Sequence, residues 1–242
     1  MQDGRANSVG PPGAPAKATA EALNRNCPCV TLDRPVLESS LNDALGADAA
    51  GLLAERPHLF SNVPAFVSPD DFRSMAGMIS AIEAASALAE WRRRVFARAG
   101  DAAARIEFGP KGVFMGYDFH LGEDGPKLIE VNTNAGGAYL NAALRRAQLE
   151  CCMGESADLP DFDRAVRDMF LEEWRLAGRP GAPRRVAIVD DSPQTQYLYP
   201  EVLLAARHLT EFGIDAAVAD AADLELDGRR LIHRGETIDL VY

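Results

Sequence analysis

Apolar residues recur along this chain in two periods. After "SPDDF" at 68–72, Phe72, Met75, Ile79 and Ile82 follow one another at three- and four-residue spacing, the signature of one helix face. Ser68 can cap such a helix, Pro69 suits its first position, and Asp70 and Asp71 favour the positive end of its dipole. The pattern predicts one helix running to Ala99, before Gly100, with its Met and aromatic positions in a core and Arg92-Arg93-Arg94 on a solvated face. Weaker helical patterns cover about 17–25 and 35–54. "AYLNAALRRAQLE" (138–150) and "DFDRAVRDMFLEEWRLAG" (161–178) predict two more helices, the second closed by Gly178.

The other period is that of strands. "VFMGYDFHL" from 113 and "KLIEVN" from 127 flank the turn-rich "GEDGP". "RVAIVDD" (185–191) is short, apolar and β-rich, the texture of a buried parallel strand. The polar loop "DSPQTQ", a helix over about 197–212, Gly213 and the strand "IDAAVAD" follow it. At this length the unit is a right-handed β-α-β crossover. "RRLIHRGETIDLVY" reads as two strands about a turn at Arg234-Gly235. The fold class is α/β: a helical N-terminal region leading into strands, then a small parallel α/β domain. Residues 1–16, rich in Gly, Pro and small polar residues, are expected to be disordered. The loop "RPGAPRR" separates a 17–180 unit from a 181–242 unit.

Charge narrows the function. A net charge of −11 repels polyanions at long range, which disfavours nucleic acid. A phosphate ligand needs a local cation or a metal. No apolar run approaches the ~18 residues of a membrane span, and no basic segment precedes an apolar one at the N-terminus. The cysteines come as Cys27-Pro-Cys29 and adjacent Cys151-Cys152. These spacings are not those of zinc ligands, and no histidine lies near either pair. They read as free thiols in a reducing cytosol, and the expected location is cytoplasmic.

Candidate chemistry gathers at "KLIEVNTNAGGAYL" (127–140). On a strand, residues two apart share a face, so Glu130 and Asn132 project together, away from Ile129 and Val131. A carboxylate beside an amide carbonyl offers hard oxygen donors, which suit Mg²⁺ completed by water and phosphate. Asn134, Gly136 and Gly137 follow. Glycines let a backbone approach a ligand, and the next helix begins there, so its N-terminal amides could face an anion. A hairpin would bring Asp118 near Glu130 or Asn132.

"MGYDFHL…KLIEVNTNAGGA" resembles the segment of ATP-grasp ligases that ends in Glu-x-Asn on a strand. Here a β-α-β unit follows the motif, an order similar to that of eukaryotic-type glutathione synthetases and related circularly permuted ATP-grasp proteins. The resemblance covers about residues 113–242. It implies an ATP-grasp-like sheet, a small substrate-binding domain, and ATP-dependent joining of a carboxylate to an amine through an acyl phosphate. Glu130 and Asn132 would ligate Mg²⁺ on ATP, supported by Asp118. Asn134, Gly136 and Gly137 would face the acyl substrate, and Gln194 and Tyr197 the small-molecule or peptide substrate. The glycine-rich lid, the ATP-gripping lysines and a further metal carboxylate would lie beyond Tyr242. The chain, ending inside the apolar run "IDLVY", is therefore expected to be a fragment, inactive alone. Oligomeric state stays open, a homodimer included.

The family places an arginine just before the strand aspartate, where this chain has Gly116 and Tyr117, and another in the loop where it has Gln194. The alternative is accordingly a non-catalytic α/β module that binds a small acid or peptide. A Rossmann dinucleotide site is disfavoured because "VDDSPQTQ" lacks G-x-G-x-x-G. Ser192 lies in no glycine elbow, and His58, His120, His208 and His233 are scattered, so Ser/His/Asp hydrolysis has no support.

Overall fold

The computed structural model describes residues 17–26, 32–46, 49–100, 106–147 and 161–242. The elements are α1 (Lys17–Asn26), α2 (Arg34–Leu45), α3 (Ala49–Ala54), α4 (Pro69–Ser86), α5 (Ala89–Arg98), β1 (Gly116–Gly122), β2 (Gly125–Asn132), α6 (Ala138–Arg146), α7 (Phe162–Leu176), β3 (Arg185–Asp190), α8 (Tyr199–Glu211), β4 (Asp215–Asp220), β5 (Leu224–Asp227), β6 (Arg230–His233), β7 (Glu236–Ile238) and β8 (Leu240–Val241). This is the mixed α/β composition that the two periods predict. Residues 1–16 and all four cysteines lie outside the described residues.

Strand β3 is apolar from Val186 to Val189, and Val186, Ala187 and Ile188 are buried. It is central in the three-stranded sheet β4-β3-β8, parallel to both neighbours, with Ile188 opposite Val218 and Val186 opposite Leu240. Tyr242 carries the ladder one rung further, donating to the Ala187 carbonyl and accepting from the Val189 amide, both at 2.8 Å. The expected strand–helix–strand unit is thus present as β3-α8-β4. Val186 and Ile188 meet Val166 and Phe170 of α7, Ala205 and Leu209 of α8, and Tyr139 of α6 in one core. A second core joins Leu37 and Leu41 of α2 and Phe60 to Leu140 and Ala143 of α6. Helix α6 therefore contributes to both cores, and its first turn is fixed from two sides.

The C-terminal turn is as expected. Arg234 and Gly235 both have positive φ, 51° and 80°, the two-residue turn that suits hairpin twist. Two details differ. Leu224–Asp227 forms β5 against β6, a four-residue strand too short and too exposed to show in the pattern. "IDLVY" also does not continue one strand. The Asp239 carboxylate accepts from the amides of Arg184 and Arg185 at 2.8 and 3.3 Å, making a corner that delivers Leu240 to the parallel sheet.

The long helix expected from 69 to 99 is broken. Its start is as predicted: Ser68 Oγ accepts from the Asp71 amide at 3.1 Å, with Pro69 in the first turn. At Ala87–Leu88 the chain turns out, Leu88 being extended at ψ 129°, and α5 begins. The Ser86 hydroxyl donates to the Glu83 carbonyl near this end. The assignment of Phe72, Met75, Ile79 and Ile82 to a core is also corrected. No residue of α4 is buried, and Phe72 is 66% exposed. The arginine run is solvated as expected, Arg93 and Arg94 pairing with Glu90. Among the described residues no helix is long and apolar enough to cross a membrane.

Candidate functional site

Strands β1 and β2 form the expected antiparallel hairpin about Glu123 and Asp124, with Asp118 opposite Glu130 and Gly116 opposite Asn132. Direct partners and residues two apart share a face, so Asp118, Glu130 and Asn132 stand together. Asn132 Nδ2 donates to Asp118 Oδ2 at 3.4 Å, leaving the Asn132 carbonyl oxygen free to act as a donor atom. Both carboxylates are exposed and Asn132 is half-buried. Two like charges directly across a ladder repel each other. Among the described residues neither carboxylate has a cationic partner. A bulge between Asp118 and Phe119 shifts the register, and His120 stands exposed opposite Lys127, nearer the turn.

Gly116 is glycine for a packing reason. A Cβ there would lie 2.9 Å from the Ala135 Cβ and 3.4 Å from that of Asn132, so no arginine fits at this position. Gly136 is also closely approached, by the end of a flexible side chain. Its Cβ would fall 2.8 Å from Leu198, so the turn after β2 abuts the loop after β3. Asn134 is exposed in that turn, and Gly137 opens α6 at φ 96°.

The amides at the start of α6 do not await an external anion. Tyr139 N donates to Glu201 Oε1 at 3.0 Å and Leu140 N to Oε2 at 2.8 Å. Glu201, from the first turn of α8, is 4% exposed. Burial pushes its carboxyl above the ordinary range, while the amides of Tyr139, Leu140, Gly137 and Ala138 pull it back. This corrects the expectation that these amides face a ligand. No sequence signal marked Glu201, because a glutamate in a first helical turn usually serves its own helix.

Gln194 and Tyr197 lie in the loop beyond β3, around a single 3-10 turn at Pro193–Thr195, and both side chains are exposed. Arg56 secures this loop, a role that no local pattern announces. Its guanidinium, 6% exposed, donates to the carbonyls of Tyr197 at 2.9 Å and Gln196 at 3.1 Å. Gln196 Nε2 returns to the Asp191 carbonyl at 2.7 Å, and Ser192 N donates to Asp220 Oδ2 at 2.9 Å. The loop therefore sits beyond the carboxyl end of the central parallel strand, where open α/β sheets place their ligands. The structure brings Gly136 to this loop through Leu198.

No protein-family model matches this chain, and no curated protein matches it. The donor set must speak through its chemistry. Among the described residues no group of three or more His, Cys, Asp or Glu is placed to hold a metal. The hairpin offers less: two carboxylates and one amide oxygen. That is the partial set suited to Mg²⁺, which keeps several waters and binds phosphate alongside one or two carboxylates.

Proposed function

We propose that the chain carries the metal-holding strand and substrate loop of an ATP- and Mg²⁺-dependent carboxylate–amine ligase of the ATP-grasp, glutathione synthetase-like type. One observation carries the reading. Asp118 and Glu130 are cross-strand partners, neither pairs with a cationic side chain among the described residues, and Asn132 stands on the same face. Nothing in the packing of a surface hairpin requires that arrangement, and a divalent ion relieves it.

In this reading Glu130 and Asn132 hold Mg²⁺ and Asp118 supports the site by fixing the Asn132 amide. The ion would lower the repulsion between the γ-phosphate and the attacking carboxylate. The protein's own part is geometric. Antiparallel register sets the spacing of the oxygens, and Glu201 holds the following turn against Leu198. Asn134, Gln194 and Tyr197 are then available to a small-molecule or peptide acid and its amine partner. Mn²⁺ titrated into the 242-residue chain should broaden amide signals over 116–132 first, and Glu130→Gln should remove the effect. Where the protein turns over ATP, Glu130→Gln should lower the Mg²⁺-dependent rate by about 10²-fold or more. Turnover equal to wild type ends the assignment.

A second reading, a non-catalytic module for a small acid or peptide, is favoured by two observations. Glu201 occupies the α6 amides, and position 116 has no room for an arginine. Thermal stabilisation by a γ-glutamyl peptide but not by Mg²⁺-ATP would select it.

A further inference from the structure

A cavity of about 190 Å³ opens between α2, α6, α7 and α8. It runs along α6 from Tyr139 to Arg146, and none of its lining residues belongs to the hairpin. Three helices finish at this cavity. Asp43 and Ala44 belong to the last turn of α2, Arg146 is the last residue of α6, and His208 and Glu211 close α8. Helix C-termini carry partial negative charge. Two helices start beside it with their positive ends already satisfied: in α7 Asp161 accepts from the Arg164 amide at 3.2 Å, and in α6 Glu201 accepts from the Tyr139 amide at 3.0 Å.

The charged lining points the same way. Both guanidinium groups are already engaged. Arg146 pairs with Asp163 at 2.7 Å, and Arg207 pairs with Glu211 at 2.8 Å while donating to the carbonyls of Asp43 and Ala44. The Asp43 carboxylate has no hydrogen-bond or ion-pair partner among the described residues. Tyr139 also lines the cavity. It is 5% exposed, and its hydroxyl has no partner among the described residues. Its ring meets Phe162 and His208 edge to face, at 5.5 and 5.3 Å between centroids, giving one aromatic wall. Ala142 and Leu204, both half-buried, add apolar surface.

We infer that this cavity is a second binding site, for a small organic cation: an ammonium or guanidinium on a short aliphatic stem. The cation pairs with the exposed Asp43 carboxylate at the negative helix ends. The stem lies on the apolar floor. The inference is independent of the ligase reading, since none of these residues belongs to the hairpin.

The test is calorimetry and thermal shift on the 242-residue chain with n-butylammonium and agmatine. Butanol, butyrate and inorganic phosphate serve as comparisons. Saturable stabilisation by the cations alone is expected. Asp43→Asn should weaken it by about two- to fivefold, the scale of one exposed ion pair. Ala142→Leu, which fills the cavity, should abolish it while circular dichroism shows an intact fold. Cation binding indifferent to both substitutions, preferential binding of butyrate or phosphate, or no binding by any of them would overturn the inference.

Discussion

Helices α4 and α7 look alike as sequences: 18 and 15 residues, each with a capped start and an apolar stripe. They end differently. Helix α7 buries Val166 and Phe170 against β3, and Glu173 reaches out to accept from the amides of Lys111 and Gly112 at 2.7 and 2.9 Å. Helix α4 leaves Met75, Ile79 and Ile82 only half-buried and fully buries no residue, and it meets the hairpin through a Tyr117–Glu83 hydrogen bond of 3.2 Å. What separates them is what they lie on. β3 is paired on both edges in a sheet that offers α7 a continuous apolar face. The hairpin beneath α4 has two strands, and two strands cannot build a core. A periodic stripe specifies which face of a helix is apolar, not whether anything covers it.

The largest expected contrast tests this directly. Phe170→Ala should cost about 3–5 kcal/mol in urea unfolding, and Phe72→Ala less than about 0.5 kcal/mol. Equal costs would erase the distinction between the two regions. Next comes Glu201, which joins α8 to α6. Glu201→Ala leaves buried amides unsatisfied and should cost about 2 kcal/mol.

The pH dependence sharpens that result. Burial raises the folded carboxyl above its ordinary value of 4.5, so the folded protein holds this proton more tightly than the unfolded chain. The stabilisation is complete below the unfolded value and lost as pH climbs through the folded one. The stability of wild type relative to Glu201→Gln should therefore fall as pH rises from about 4. A rise instead would mean that the amides outweigh burial.

Ser68→Ala should cost about 1 kcal/mol and act locally, seen as faster hydrogen exchange in the first turn of α4. The smallest effect is at His208. Burial depresses its pKa below 6.5 against the pull of Asp163 and Glu211, with Arg146 adding to the depression. The unfolded chain then binds the proton first, so stability should decline as pH falls below 6.5. His208→Gln should flatten that slope in thermal melts.

The amino-acid sequence by itself determined the features that neighbouring residues carry. The Ser68-Pro69 start, the β3-α8-β4 unit, the Arg234-Gly235 turn and the face shared by Glu130 and Asn132 all depend on local runs of residues. Dihedral preference and side-chain period fix them wherever the segment lies. The hairpin that brings Asp118 near these residues is legible too, but the residue opposite Asp118 is not: the turn alone would set Asp118 opposite Ile129, and the bulge at Asp118–Phe119 moves it to Glu130. Arg56 beneath the 194–197 loop and Glu201 at the α6 amides are not legible either. Their partners lie some 60 to 140 residues away in sequence, and no local pattern encodes a distance of that kind. Whether an apolar stripe becomes core, and which anion fills a helix terminus, was decided when the layers came together. Burial and desolvation belong to the assembled molecule and to no segment alone.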